Sequence, residues 1–304
     1  MADSAGIPNV DLGAALHALG LPEARLVSSD MRASDTRVWR VELHGQDLAI
    51  RVFRPDQQSV MRAEIQAMEL ALSHEIPIPR PIATGVIEDS YPAMAIEWVQ
   101  GEPVGDSIVA DPDSAQQFGL LSGQLLARVH EIPIPTRTDP DHLTENWVKR
   151  AVGDDRQLQA VLDAVRDPEL RLLHLDYHPF NLLVLDGAIT GIIDWTNAAL
   201  GDPRADIARS SSTMELLAPM YVGEVPERIA ACHRFTRGLL EGYESLRGQL
   251  RDMAPFHAWA GNMILTDLRP RVQSLPTSDP HGFILGVETW TEHWRQQAIG
   301  SPDR

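Results

Sequence analysis

Lysine is almost missing from this chain of 304 residues: Lys149 stands alone among 26 basic side chains, and the other 25 are arginines. Any role that chemistry commonly gives to a lysine must here fall on arginine. Cysteine is as scarce. Cys232 has no second thiol to pair with, which excludes an internal disulfide and any site built from several cysteines. No apolar run approaches the roughly 18 residues that cross a bilayer. The opening Met1-Ala2-Asp3-Ser4 has no basic segment followed by an apolar one, so no secretory leader is expected. Clustered positive charge is missing too. A net charge of −17 is the reverse of what a nucleic-acid groove requires. Neither nucleic acid nor membrane is an expected partner, and the expected location is the cytoplasm.

What is present fits a soluble globular protein, with 43% hydrophobic and 23% charged residues. The length suits one large domain or two packed lobes, each with its own core. Acidic residues are dispersed, 14 in residues 1–100 and 29 in the remainder. Dispersed acidity serves solubility, and it would also attract a cationic substrate.

Along the chain, a short helix precedes a mostly antiparallel sheet. Strands are predicted over 38–43 and 48–53, around the turn residues His44-Gly45-Gln46-Asp47, and again over 84–87 and 93–99. Between them, 57–73 has helical periodicity, with Val60, Met61, Ile65, Met68 and Leu72 on one face. Gly101-Glu102-Pro103 reads as a linker. Beyond it the pattern is helical, beginning with Asp111-Pro112 as cap and first turn and Phe118, Leu121, Leu125 and Val129 as a stripe. His-Glu-Ile-Pro-Ile-Pro occurs at 74–79 and at 130–135, as the same helix stop used twice. The plan is a sheet-and-helix lobe over 1–100, a hinge near 97–103, and a helical lobe over 101–304. Ligands commonly lie between such lobes.

The strongest signal is His174-Leu-Asp176-Tyr-His178-Pro-Phe-Asn181, followed by Asp186-Gly187 and Ile193-Asp194-Trp195. Asp-Gly between two apolar runs predicts a hairpin, which returns Asp194 to the side of Asn181. Asp176, just before, then faces both. Phosphoryl transfer needs such a set: Mg²⁺ prefers carboxylate, amide and phosphate oxygens, and a separate carboxylate must accept the proton of the attacking hydroxyl. Asn181 and Asp194 fit the metal role and Asp176 the role of base. His174-x-Asp176-x-His178 could also open a zinc hydrolase site, but no second cluster in the sequence completes its ligand set.

Asp176-x4-Asn181 with an acid 13 residues later resembles the protein-kinase catalytic loop. The fuller wording, with Gly201-Asp202-Pro203-x-x-Asp206-x-Ala208, resembles the aminoglycoside phosphotransferase family, which includes macrolide, choline and homoserine kinases. The likeness covers about residues 30–210 and is tightest over 174–208. It implies an α+β, protein-kinase-like fold of two lobes, with a small antiparallel-sheet N-lobe that binds nucleotide. The larger, mostly helical C-lobe would carry the catalytic loop and the substrate site. It implies ATP, or GTP, as donor. It further implies that Arg51 stands where such kinases carry a phosphate-holding lysine, that Glu64 is its helix partner, and that His174 braces the catalytic loop. Ser34 and Thr36 would occupy the phosphate-loop turn, which here has no glycine. The Glu97 carbonyl and the Val99 amide would meet the base. Glu64 also falls inside the apolar stripe of its helix, where a carboxylate needs a partner.

The acceptor expected is a small molecule with a hydroxyl, an antibiotic of aminoglycoside or macrolide type. A metabolite such as choline, homoserine or a sugar remains the rival, as does a ligand-binding module that has kept the fold without its catalysis. Glu215, Asp267, Glu288 and Glu292 are candidate holders of cationic groups. Trp147, Trp259, Trp290 and Trp294 are candidates for an apolar cradle. Solvated acids and core tryptophans are the plainer readings of both groups. Oligomeric state leaves no mark in the sequence.

Overall fold

The structure, a computed structural model, describes residues 10–30, 36–134, 143, 147–153 and 155–300. The chain opens with α1 (Leu12–Ala18), whose first turn is capped by Asp11 accepting from the Ala14 amide. Five strands follow: β1 (Arg25–Asp30), β2 (Arg37–Leu43), β3 (Gln46–Val52) and, after helix α2 (Gln58–Leu72), β4 (Pro81–Ile87) and β5 (Tyr91–Glu97). They form one antiparallel sheet in the order β1-β2-β3-β5-β4. His44 and Gly45 both take positive φ, 52° and 83°, as a two-residue hairpin turn between β2 and β3 requires.

Strand periodicity sorts β3 onto two faces. Leu48, Ile50 and Val52 pack with α1 and with Trp39 and Val41, whereas Ala49 and Phe53 share a core with α2. That second core continues without a break into the helical half, through Val104, Leu126, Tyr177 and Phe235. The two halves therefore share one core on the α2 side, while the α1 face keeps its own and the helical half carries two further clusters, around Trp147 and Trp259 and around Ile264 and Leu268.

After the sheet come β6 (Glu102–Pro103), α3 (Val104–Ala110), α4 (Ala115–Val129), α5 (Lys149–Val152), α6 (Arg156–Val165) and β7 (Arg171–Leu173). The predicted hairpin is β8 (Leu182–Leu185) and β9 (Ala188–Ile192), turning at Asp186 and Gly187 with φ of 52° and 79°. Then follow β10 (Ala199–Gly201), α7 (Pro203–Leu216), α8 (Ala218–Val222), α9 (Pro226–Arg247), α10 (Ala254–Leu268) and α11 (Pro280–Gly300).

Several elements differ from the sequence reading. β1 was not expected; it is a sheet-edge strand whose Leu26 and Val27 stay exposed, so it lacks a buried alternation. Glu102–Pro103 pairs with β8 rather than hanging free as a linker. Asp111 makes no side-chain cap, and a short 3-10 turn over Pro112–Ser114 leads into α4 instead. In α4 the buried face includes Gly119 and Gly123 because α9 lies almost directly on its backbone.

Candidate active site

The His174–Trp195 segment is braced from beneath before it presents anything to a ligand. Asp206, fully buried on α7, accepts from the backbone amides of His174 (2.7 Å) and Leu175 (2.9 Å) and from His130 Nε2 (3.3 Å). Burial pushes its carboxyl up, yet His130 and the His174 amide outweigh that and hold it below the usual range. Leu175 takes φ 59°, a left-handed turn that a leucine adopts only under such restraint. His174 donates through Nε2 to the Ile193 carbonyl (3.1 Å) and accepts at Nδ1 from the Asp176 amide (3.2 Å), with its ring between Tyr177 and Trp195. Asp202 caps α7 and accepts from the Asp167 amide (2.8 Å).

On this base the polar side chains gather. Asn181 Nδ2 donates to the Asp176 backbone carbonyl (3.0 Å) and to Asp176 Oδ2 (3.3 Å), which leaves the Asn181 amide oxygen free among the described residues. The Asn181 carbonyl accepts from the Ile193 amide (2.9 Å), so the hairpin sets Asp194 beside it. Asp194 has φ 61°, and its Oδ1 accepts from the Thr196 hydroxyl (2.7 Å) and from Arg51 Nη2 (3.4 Å). Enclosure pushes the Asp194 carboxyl up, but Arg51 and Thr196 prevail and hold it below the usual range. Its side chain is 42% exposed, open for another ligand.

Arg51 bridges the halves. From near the end of β3 its guanidinium donates to Glu64 on α2 and reaches Asp194 on the far side. Glu64 Oε1 also accepts from the Trp195 amide (3.2 Å), while Oε2 is buried with no partner among the described residues. Glu64 lies in the buried face of α2 with Met61, Ala67, Met68 and Ala71, as its place in the apolar stripe predicted.

Thr36 is buried at the start of β2, one residue before the Arg37–Val52 pair. Ser34 lies outside the described residues. Glu97 ends β5, its amide held by the Arg80 carbonyl (2.9 Å); the Trp98 amide is held by the Asp47 carbonyl (3.0 Å). Val99 packs on Gly191 of β9, where a Cβ would come within 2.7 Å of its side chain.

The acids offered for a cationic acceptor already have partners. Asp267 pairs with Arg209 (2.7 Å), Glu288 with Arg269 (2.8 Å) and Glu292 with Arg295 (3.7 Å), and Glu215 accepts from Trp290 Nε1 (3.1 Å). Trp147 and Trp259 are core residues in edge-on contact. The sequence did not assign Asp206 its bracing role, although it stands in the Gly201-Asp202-Pro203 motif. Tyr221 carried no signal, since α8 has only five residues and shows no period; Arg209, on α7, was not singled out either.

Among the described residues no three His, Cys, Asp or Glu side chains converge as a complete metal cage. A free amide oxygen beside an open carboxylate suits Mg²⁺ all the same, because that ion takes one or two protein oxygens and completes its shell with phosphates and water. A hollow of about 710 Å³ between Met253 and Trp294 is lined by none of these residues. No helix among the described residues is long and apolar enough to cross a membrane.

Residues 23–249 match the phosphotransferase enzyme family. The chain is 26% identical over 218 residues to aminoglycoside 3'-phosphotransferase of Streptomyces fradiae, covering 61% of this chain and 78% of that one. It is 25% identical over 156 residues to viomycin phosphotransferase of Streptomyces vinaceus, covering 43% of this chain and 54% of that one. Among solved structures it resembles a thermostable mutant of aminoglycoside phosphotransferase APH(4)-Ia in ternary complex with ADP and hygromycin B. That TM-score is 0.56 at 16% identity, over 95% of this chain and 97% of that one, a likeness of fold.

Proposed function

This chain belongs to the phosphotransferase enzyme family, and from that premise we propose that it transfers the γ-phosphoryl group of ATP to a hydroxyl of an antibiotic-type small molecule. The observation that carries the reading is the meeting of Asp176, Asn181, Asp194 and Arg51 at the junction of the sheet and the helical half.

Asp176 accepts the proton of the acceptor hydroxyl as its oxygen attacks phosphorus and the bond to the leaving ADP oxygen breaks. Its Oδ2 is positioned by Asn181 Nδ2, and its side chain is 23% exposed, enough to meet a substrate. The free Asn181 oxygen and the open face of Asp194 would hold Mg²⁺, which when bound draws phosphate oxygens together and offsets their charge. Arg51, oriented by Glu64, donates to phosphate oxygens as a rigid fork where a lysine would act as a point charge. Thr36, buried at the start of β2, would face the phosphates, and the Glu97 carbonyl and Val99 amide would meet the base. Residues up to about 100 form the nucleotide-binding lobe and those beyond it the lobe that carries acceptor and catalytic loop. GTP would fit the same backbone contacts. Relatives acting on aminoglycosides and viomycin support an antibiotic as acceptor; a panel of antibiotics against choline, homoserine and sugars separates it from a metabolite.

Asp176→Ala is expected to lower turnover about 10²–10⁴-fold with nucleotide affinity little changed, because the base is lost and the phosphate contacts are not. ADP release with acceptor present, alongside calorimetric binding of Mg·ATP, measures both. A variant that turns over at the wild-type rate ends the assignment of Asp176.

A further inference from the structure

Beside Asp176 stands a partly exposed aromatic surface. Tyr221, on α8, stacks on Phe180 of the catalytic loop with ring centroids 5.0 Å apart and planes 13° from parallel. The His178 ring lies 5.1 Å from Tyr221, and His178 Nε2 lies 3.7 Å from Asp176 Oδ1. The surface thus begins at the base itself. Tyr221 remains 39% exposed, and its hydroxyl has no hydrogen-bond partner among the described residues. Its ionisation is suppressed by surrounding protein first and by the Asp176 carboxylate second, which agrees with the two groups facing one space.

The carboxylate of Asp267 beside it is already paired with Arg209 (2.7 Å), whose Nε and Nη1 are buried with no hydrogen-bond partner among the described residues. Arg209 is near enough to act on the ionisation of both His178 and Tyr221. An ion pair of this kind cancels the charge that a polycation would seek.

We propose that Tyr221 determines acceptor specificity: a hydroxylated ring lies face-on against the outer face of Tyr221, hydrogen-bonds its phenol, and so brings one hydroxyl to Asp176. The acceptor is therefore a ring compound held by stacking more than by clustered carboxylates. This rests on the phosphotransferase reading and adds the chemistry of its second substrate. Aromatic rings suit the task, because they offer a large rigid apolar face and, in tyrosine, a polar edge.

The test uses the full chain with Mg·ATP and three ring-bearing probes of decreasing amine number: kanamycin A, hygromycin B and erythromycin. For the probe turned over best, Tyr221→Ala is expected to raise the acceptor KM about tenfold and to lower kcat far less, and Tyr221→Phe to fall between, since it keeps the ring and loses the hydroxyl. Raising salt from about 50 to about 300 mM should change the wild-type acceptor KM less than about threefold, whereas binding by clustered carboxylates is strongly screened. An acceptor KM for Tyr221→Ala within about twofold of wild type, or a KM that climbs about tenfold with salt, overturns the proposal. Wild-type protein that binds Mg·ATP but turns over none of the probes overturns the ring-acceptor class. Protein that does not bind Mg·ATP sinks the phosphotransferase reading instead.

Discussion

Glu64 shows how one buried carboxylate ties three elements together. Its Oε1 receives Arg51 from β3 and the Trp195 amide from the loop after β9, and its Oε2 has no partner among the described residues. Burial therefore outweighs Arg51 and pushes the carboxyl up to about 7. A carboxyl raised above its unfolded value of 4.5 favours folding fully below pH 4.5. That contribution is lost as the pH rises through about 7. Wild-type stability relative to Glu64→Gln should accordingly fall across this window and level off above it, as read by urea unfolding in pH steps. A flat difference would show that Arg51 keeps Glu64 ionised throughout. Sequence periodicity located Glu64, because a carboxylate inside an apolar stripe demands a partner. It did not show the Trp195 amide, which only the chain path through the hairpin brings there.

Helices α4 and α9 meet closer than their side-chain patterns announce. A Cβ on Gly119 would stand 2.1 Å from the Phe235 carbonyl, and one on Gly123 2.0 Å from the Leu239 carbonyl. From the other helix, Gly238 and Gly242 stand equally tight against the Gln116 and Leu120 carbonyls, at 2.2 and 2.1 Å. Four glycines, spaced four apart on each helix, let the two backbones touch. Backbone atoms cannot swing aside as a side-chain tip does. Gly123→Ala should thus destabilise by about 1–3 kcal/mol, the cost of forcing atoms into a packed core, although alanine is the better helix former. Chemical unfolding measures it; a neutral or stabilised variant would mean that the helices separate freely. The crossing matters to the candidate site, since α4 ends at His130, which braces Asp206 beneath the His174–Asn181 segment. The repeated His-Glu-Ile-Pro-Ile-Pro marked that helix end correctly, while the burial of His130 came from α7 and α9 packing over it.

At the scale of the whole molecule, the sheet and the helical half are joined by a common core on the α2 face and by the Arg51 bridge to Glu64 and Asp194. A ligand held by both halves should stabilise them as one. Mg·ATP at about 100 times its Kd is expected to add about 2.7 kcal/mol, seen as a raised Tm. Arg51→Met should lose most of that gain at the same ligand concentration. An equal rise in both proteins would remove Arg51 from the nucleotide site. The sequence alone determined the order of the lobes, the hairpin, and the spacing of Asp176, Asn181 and Asp194, because turn residues and short-range periodicity encode local geometry directly. Folding alone decided that Asp206 holds the His174–Leu175 backbone, that Arg209 pairs with Asp267, and that Tyr221 lies against Phe180. Those contacts join residues 30 or more positions apart, and a pairing across that separation depends on where helices pack, which no local pattern records.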